Sequence, residues 1–381
     1  MKEFDFQNRT RIVFGPRKIE ALGALAAELG CKRALVASDP GIVAIGHAAA
    51  GIQSLEDAGL ACKLFQGVRE NPSTEHVAAG VEMARDFQPD LIVGLGGGSS
   101  MDCAKGINFI YTNGGRMQDY WGVGKATQPM LPMIAVPTTA GTGSETQSFA
   151  LISDAETHAK MACGDKKAAF RVAILDPVLT VSQPPRITAL TGIDALAHAL
   201  ETYVTRVRSP MSLAFSREAW QLLAEHFSRV LHAPDDLEAR SGMQLGACFA
   251  GLAIENSMLG ATHALANPLT ANYGIVHGQA IALMLPHVIR FNGQEYANWY
   301  RDLLDGAVPG VPTADAGPAG LADFVARLAG EAGLSGRLRE CGIDQDRLPL
   351  LAEQAATQWT GTFNPRPVGK SELLSLYEAA Y

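Results

Sequence analysis

Three histidines and one aspartate stand at spacings that suit a bound cation. GIDALAHALE (Gly192–Glu201) carries Asp194 and His198 at i and i+4, so on a helix both side chains emerge from one face. His263 and His277 lie in GATHALANPLTANYGIVHGQA (Gly260–Ala280), with an Asn-Tyr-Gly turn between them. His263 reads as lying toward the end of an apolar helix and His277 as following the turn, which lets the two imidazoles converge. One carboxylate and three imidazoles suit a borderline divalent ion, Fe2+ or Zn2+. Each pair taken singly also fits an ordinary buried hydrogen bond. Four protein ligands leave a position for a substrate oxygen if the ion takes five or more, whereas Zn2+ more often closes at four.

A second kind of chemistry is written in the first half. LIVGLGGGSSMDCAKGI (Leu91–Ile107) runs from a buried strand into Gly96, Gly97, Gly98 and Ser99, then into a helix with Asp102 and Lys105. Glycines let backbone N–H groups and a helix N-terminus approach a phosphate. The pattern is not that of a Walker-type nucleotide triphosphate loop, and a tight strand-to-helix turn without ligand is the alternative. PTTAGTGSE (Pro137–Glu145) follows another strand and supplies the hydroxyls of Thr138, Thr139 and Thr142, which suit a diphosphate or ribose at a sheet's carboxyl edge. Asp39 follows the strand ALVA. A carboxylate there can accept from an adenine ribose and repel the 2′-phosphate of NADP, or cap the turn before Pro40.

These residues need elements to hold them. Short β-branched runs at Arg11–Gly15, Ala34–Ala37, Ala61–Phe65, Leu91–Leu95 and Pro132–Val136 alternate with helical spacings at Lys18–Leu29 and His76–Phe87. Such alternation predicts a mostly parallel sheet with helices on both faces. Beyond about residue 180 the pattern becomes helical, over Pro185–Thr191, Gly192–Tyr203, Pro210–Val230, Leu237–Met258 and Gly278–Phe291. The run Ser182-Gln183-Pro184-Pro185 is a breakpoint, dividing an α/β domain (1–182) from an all-helical domain (183–381). Gly306–Gly320 reads as a loop.

Composition limits the functional classes. The 381 residues include 47% hydrophobic and 18% charged residues, with a formal charge of −8. That is a globular composition, without general attraction to nucleic acid or anionic membranes. The six cysteines form no C-x-x-C pair, which favours free thiols over a disulfide framework. No signal peptide or membrane-length apolar stretch is evident, and the cytoplasm is the expected compartment. His287 reads as a helix-start residue near the site, and His47, His76, His158, His226 and His232 as surface residues.

Taken together, GGGSSMDCAK, PTTAGTGSE, GIDALAHALE and GATHALANPL…GIVHG, in this order and at this length, resemble the iron-containing (group III) alcohol dehydrogenase family. The resemblance implies an N-terminal dinucleotide-binding α/β domain, an all-α C-terminal domain and a metal in the cleft between them. It implies hydride transfer between NAD(H) and a small or medium primary alcohol or its aldehyde, with Fe2+ (or Zn2+) polarising the oxygen, and a homo-oligomer such as a dimer. Asp194, His198, His263 and His277 fall on its metal-ligand positions. Gly96, Gly97, Gly98, Ser99, Thr138 and Thr139 fall on its cofactor-phosphate positions, with Asp102 and Thr142 beside them, and Asp39 falls where NAD-preferring members carry Asp. Asn267 departs from a position where the family usually has His, and Asn does not titrate near neutral pH. Asn267 and Glu255 are the catalytic candidates beyond the metal. Phe149, Ile254, Trp359 and Phe363 are candidates for the substrate pocket. A dehydroquinate-synthase-like lyase, a zinc glycerol dehydrogenase and a catalytically impaired metal- or nucleotide-binding relative are the alternatives.

Overall fold

The computed structural model describes residues 3–157, 159–305, 310 and 312–381; His158 and part of the Gly306–Gly320 stretch lie outside the described residues. By internal contacts the chain forms two compact units. One holds Gln7–Thr139 and Gly143–Gln183; the other holds Pro184–Tyr381 together with Ala140–Thr142 and the N-terminal segment ending at Phe6.

The α/β unit is built from β1 (Arg11–Phe14), α1 (Leu22–Glu28), β2 (Arg33–Ala37), α2 (Pro40–Ala44), α3 (His47–Asp57), β3 (Ala61–Phe65), α4 (Thr74–Phe87), β4 (Leu91–Gly96), α5 (Gly98–Asn113), β5 (Gly122–Val123), β6 (Met133–Pro137), β7 (Phe149–Ser153), β8 (Lys160–Gly164), β9 (Val172–Leu175) and α6 (Pro177–Val181). Six strands form one parallel sheet in the order β1-β9-β6-β4-β2-β3. The interior strands read as apolar runs because both faces are covered. Alternate residues serve opposite cores: Leu35, Ala37 and Ile92 join residues of α4 and α5, whereas Ala34, Val36, Leu91, Val93 and Leu95 join residues of α1 and α3. The chain steps outward from β2 to β3, then returns to build β4, β6 and β9 on the other side of β2. The reversal puts the topological switch point between β2 and β4, the place where open α/β sheets take ligands at the carboxyl ends of their strands.

Four strands escaped the sequence reading. β7 and β8 pair antiparallel and, with the two-residue β5, make a separate three-stranded sheet. β9, sequence VAIL, fills the place between β1 and β6; so short an apolar run carries no period of its own.

The helical unit contains α7 (Pro185–Val204), α8 (Pro210–His232), α9 (Leu237–Glu255), α10 (Ala261–Tyr273), α11 (His277–Leu304), α12 (Gly317–Glu331), α13 (Leu348–Ala356) and α14 (Lys370–Ala380). Several starts are chemically marked. Pro185 and Pro210 occupy the first turn, Ser209 forms a capping box with Ser212, and Asp236 accepts from the Glu238 and Ala239 amides. α7 is buried from Thr188 to Val204 except at Thr191, so its Asp194, His198 and Glu201 are enclosed along with its apolar residues.

Four boundaries depart from the sequence reading. Pro185–Thr191 and Gly192–Tyr203 are one helix, and Gly192 inside it makes room for Phe227: a Cβ there would meet Phe227 Cε2 at 2.3 Å. α9 stops at Glu255 rather than Met258, since Asn256 and Ser257 turn their side chains back onto the Leu252 and Ala253 carbonyls, competing with the helix. α11 continues to Leu304 through a kink at Tyr296, so His287 lies inside a helix rather than at its start. α12 begins at Gly317, within the stretch read as a loop. His226, read as a surface residue, is 7% exposed on α8. All six cysteines are free. Among the described residues, no helix is long and apolar enough to cross a membrane.

Candidate functional site: a carboxylate–imidazole cluster and a glycine cradle

The helical unit brings the four predicted ligand residues together. Asp194 and His198 sit one turn apart on α7. His263 lies in the first turn of α10, not toward a helix end, because the chain breaks at Gly260. His277 opens α11 after the left-handed Gly274 turn. Asp194 Oδ1 is the hub: it lies 3.4 Å from His198 Nε2, 3.4 Å from His263 Nε2 and 3.6 Å from His277 Nε2. Ligand atoms of Asp194, His263 and His277 all fall within 4.8 Å of one another, and His198 joins them through Asp194. The His198 and His263 rings stack at 4.9 Å between centroids.

Burial of this cluster is costly unless something satisfies it. Asp194 Oδ1 and His263 Nε2 are both buried and without a hydrogen-bond partner. Burial pushes the Asp194 carboxyl up, but His198, His277 and His263 outweigh it and hold the group well below the usual carboxylate range. Burial pushes His198 down, only partly offset by Asp194. His263 is raised to about 9 against its burial, because Asp194 and Glu201 flank its two nitrogens. A cation at this hub would satisfy the orphaned oxygen and nitrogen at once, so the donor set fits a borderline divalent metal.

The far nitrogens are also engaged. His198 Nδ1 is 3.3 Å from the Gly141 carbonyl, and His263 Nδ1 is 2.6 Å from Glu201 Oε2. Carbonyl and carboxylate oxygens only accept, so both rings carry hydrogen on Nδ1 and turn Nε2 toward Asp194. Burial raises the Glu201 carboxyl, but bonds from His263, Thr262 and Gly260 bring it below its ordinary value. Glu201 is not among the candidate residues read from the sequence. Its signal was present: residues 194, 198 and 201 lie at i, i+4 and i+7 on one helix face.

In the α/β unit Asp39, Gly96, Gly97, Gly98, Ser99, Thr138 and Thr139, though not Asp102 or Thr142, meet at the switch point. Gly96 adopts φ +146°, and a Cβ there would lie 2.4 Å from Ser100 Oγ and 3.2 Å from Asp39 Oδ2. Gly97 faces Thr139, and the Thr138 amide bonds the Gly96 carbonyl. α5 begins at Gly98, so the amides of Gly98 and Ser99 have no helical carbonyl to bond. Ser38, Ser100 and Thr138 hold buried hydroxyls without partners, beside the ends of β2, β4 and β6. Glycine backbone, a 16-residue helix start and orphaned hydroxyls form a cradle that fits a diphosphate. Asp39 caps α2 through Oδ1, accepting from the Gly41 and Ile42 amides. Its other oxygen points toward Gly96.

Asp102 faces inward: it accepts from Ser144 Oγ at 2.8 Å and lies 3.8 Å from Lys105 Nζ. Burial pushes its carboxyl up against the opposing pull of Lys105 and Ser144. Lys105 is fully buried and donates to the Ser144 carbonyl and hydroxyl and to the Phe149 carbonyl. This lysine clamps β7 and the 144–146 turn to α5. Lys105→Met is expected to lower the stability of the chain by about 3 kcal/mol; an unchanged urea midpoint would contradict the clamp.

The remaining candidates are scattered. Thr142 belongs to Ala140–Thr142, which groups with the helical unit. Phe149 opens β7 with its ring against Gly164. Ile254 is buried, and Glu255 is the half-buried last residue of α9. Asn267, one turn beyond His263, donates its amide to Gln358 Oε1 at 2.9 Å. Beside Gln358, Trp359 is 44% exposed and meets Phe363 edge-on at 5.7 Å.

Comparison with known proteins agrees with this chemistry. Residues 9–177 match the model of the iron-containing alcohol dehydrogenases, and residues 188–381 match that of the Fe-containing alcohol dehydrogenase family, C-terminal. The 1,3-propanediol dehydrogenase of Klebsiella pneumoniae is 34% identical over 384 residues, covering 99% of each chain. The crystal structure of a 1,3-propanediol oxidoreductase matches with a TM-score of 0.95 at 33% identity, covering 100% of both chains. A sulfoacetaldehyde reductase from Bifidobacterium kashiwanohense, solved in complex with NAD+, matches with a TM-score of 0.89 at 26% identity, covering 100% of this chain and 99% of that one. The chain belongs to the iron-containing alcohol dehydrogenase family.

Proposed function

We propose that Asp194, His198, His263 and His277 hold one divalent cation, iron in keeping with the family, and that Asp39, Gly96, Gly97, Gly98, Ser99, Thr138 and Thr139 hold NAD(H). The reaction is the interconversion of a small or medium primary alcohol and its aldehyde. The observation that carries the metal reading is the buried, unsatisfied pair of Asp194 Oδ1 and His263 Nε2 with two further imidazoles around it. When bound, the cation supplies Lewis-acid polarisation of the substrate oxygen and the nicotinamide supplies or accepts hydride.

The chain's own residues bind and orient. Glu201 and the Gly141 carbonyl fix the tautomers of His263 and His198. The Gly98 and Ser99 amides would face phosphate oxygens, and Asp39 Oδ2 would accept from a ribose hydroxyl and disfavour a 2′-phosphate. Ile254, Trp359 and Phe363 provide apolar surface suited to a short carbon chain. Asn267 cannot take a proton, and its bond to Gln358 gives it a positioning rather than an acid–base role.

The reading is tested by following NADH oxidation with a panel of short aldehydes and ketones under anaerobic conditions. Aldehyde-dependent net oxidation with alcohol as product is expected. A lyase of the dehydroquinate-synthase kind would recycle its NAD and show no net oxidation, and such a result would overturn the proposal.

A further inference from the structure

We propose that Glu201 is a positioning residue that pre-forms the metal site by fixing both the start of α10 and the tautomer of His263. The inference rests on the metal reading above and extends it to a residue outside the ligand set. Glu201 is 4% exposed and receives three hydrogen bonds. Oε2 accepts from the Gly260 amide at 3.1 Å and from His263 Nδ1 at 2.6 Å, and Oε1 accepts from the Thr262 amide at 2.7 Å. All three donors belong to the N-terminal turn of α10. One buried carboxylate on α7 therefore satisfies amides that the helix cannot bond itself, places negative charge at its positive end and turns the ring.

The geometry is selective for a carboxylate. All three groups donate, and only an acceptor-only side chain satisfies them together. A glutamine must aim its amide nitrogen either at the Thr262 N–H, losing that bond, or at the Gly260 N–H and His263 Nδ1. The second orientation favours the opposite tautomer, with hydrogen on Nε2, which cannot ligate a metal. Gly260 is part of the same device: a Cβ there would lie 3.1 Å from Glu201 Oε1 and 3.0 Å from Asn364 Oδ1, the oxygen that accepts from the Ala261 amide. A glycine lets both acceptors close on the helix start.

The test is Zn2+ affinity of the full chain, measured by competition with a chromophoric chelator, alongside thermal melts of the stripped proteins. Glu201→Gln is expected to bind Zn2+ about 10–100-fold more weakly than wild type while still melting cooperatively. A purely structural glutamate would lower the melting temperature and leave Zn2+ affinity within twofold of wild type, and that result overturns the proposal. Should Glu201→Gln fail to fold, Gly260→Ala decides. It displaces the carboxylate without removing its charge and is expected to weaken Zn2+ binding severalfold; unchanged affinity in that variant equally overturns the proposal. A wild-type chain that binds no Zn2+ contradicts the metal reading itself, a different outcome from wild-type binding that the variants share.

Discussion

His263→Ala is expected to lose bound metal and turnover together, with the rate of aldehyde reduction falling about a thousandfold or more. Its Nε2 is one of two buried polar atoms at the hub that have no protein partner, and it lies 3.4 Å from the other. Removing the ring leaves Asp194 with His198 and His277, the latter 31% exposed at its side chain, and frees Glu201 from its shortest bond. Lewis-acid polarisation contributes several kcal/mol at a carbonyl oxygen, and each ~1.4 kcal/mol is tenfold in rate. Metal analysis and steady-state assay of the same preparation check the prediction. A variant with full metal content and the wild-type rate would remove His263 from the site.

Asp39→Gly is expected to shift cofactor choice. The wild type should prefer NADH, and the variant should lose about tenfold or more of that preference as judged by the ratio of kcat/KM for NADH and NADPH. A hydrogen bond to a charged group contributes about 1.5–3 kcal/mol, and the carboxylate also repels a 2′-phosphate. Asp39 caps α2 as well, yet glycine is a tolerated cap, costing only roughly a few tenths of a kcal/mol. Stability should therefore barely move while specificity does. A wild-type enzyme that uses NADPH better would contradict this role for Asp39.

The two readings of Asp39 that the sequence left open, cap and specificity residue, are not exclusive. Oδ1 serves the helix and Oδ2 points at Gly96, a division between two oxygens that no sequence pattern expresses. The parallel sheet was legible because its strands are apolar runs bounded by turns, whereas β7 (FALIS) and β8 (KMACG), of the same length as β2, mix small, polar and charged residues with apolar ones and carry no β-branched run. Lys105 was the reverse case: at i+3 from Asp102 it looks like half of a surface ion pair, but three oxygens from distant chain hold it inside. The hub histidines were legible through spacing on α7 and through resemblance elsewhere, since their convergence depends on how α7, α10 and α11 pack. Glu201 was not legible, because a glutamate at the end of a helical motif reads as solvated and its three donors come from a helix start some sixty residues away.

One cation at the Asp194 hub is expected to make this chain an active alcohol dehydrogenase. The most direct measurement strips the purified chain with a chelator and titrates Fe2+ back anaerobically, following bound iron and aldehyde-dependent NADH oxidation in the same samples. Both are expected to rise together and saturate at one ion per chain. Full activity in the stripped protein, or saturating iron without any gain in turnover, would contradict the account.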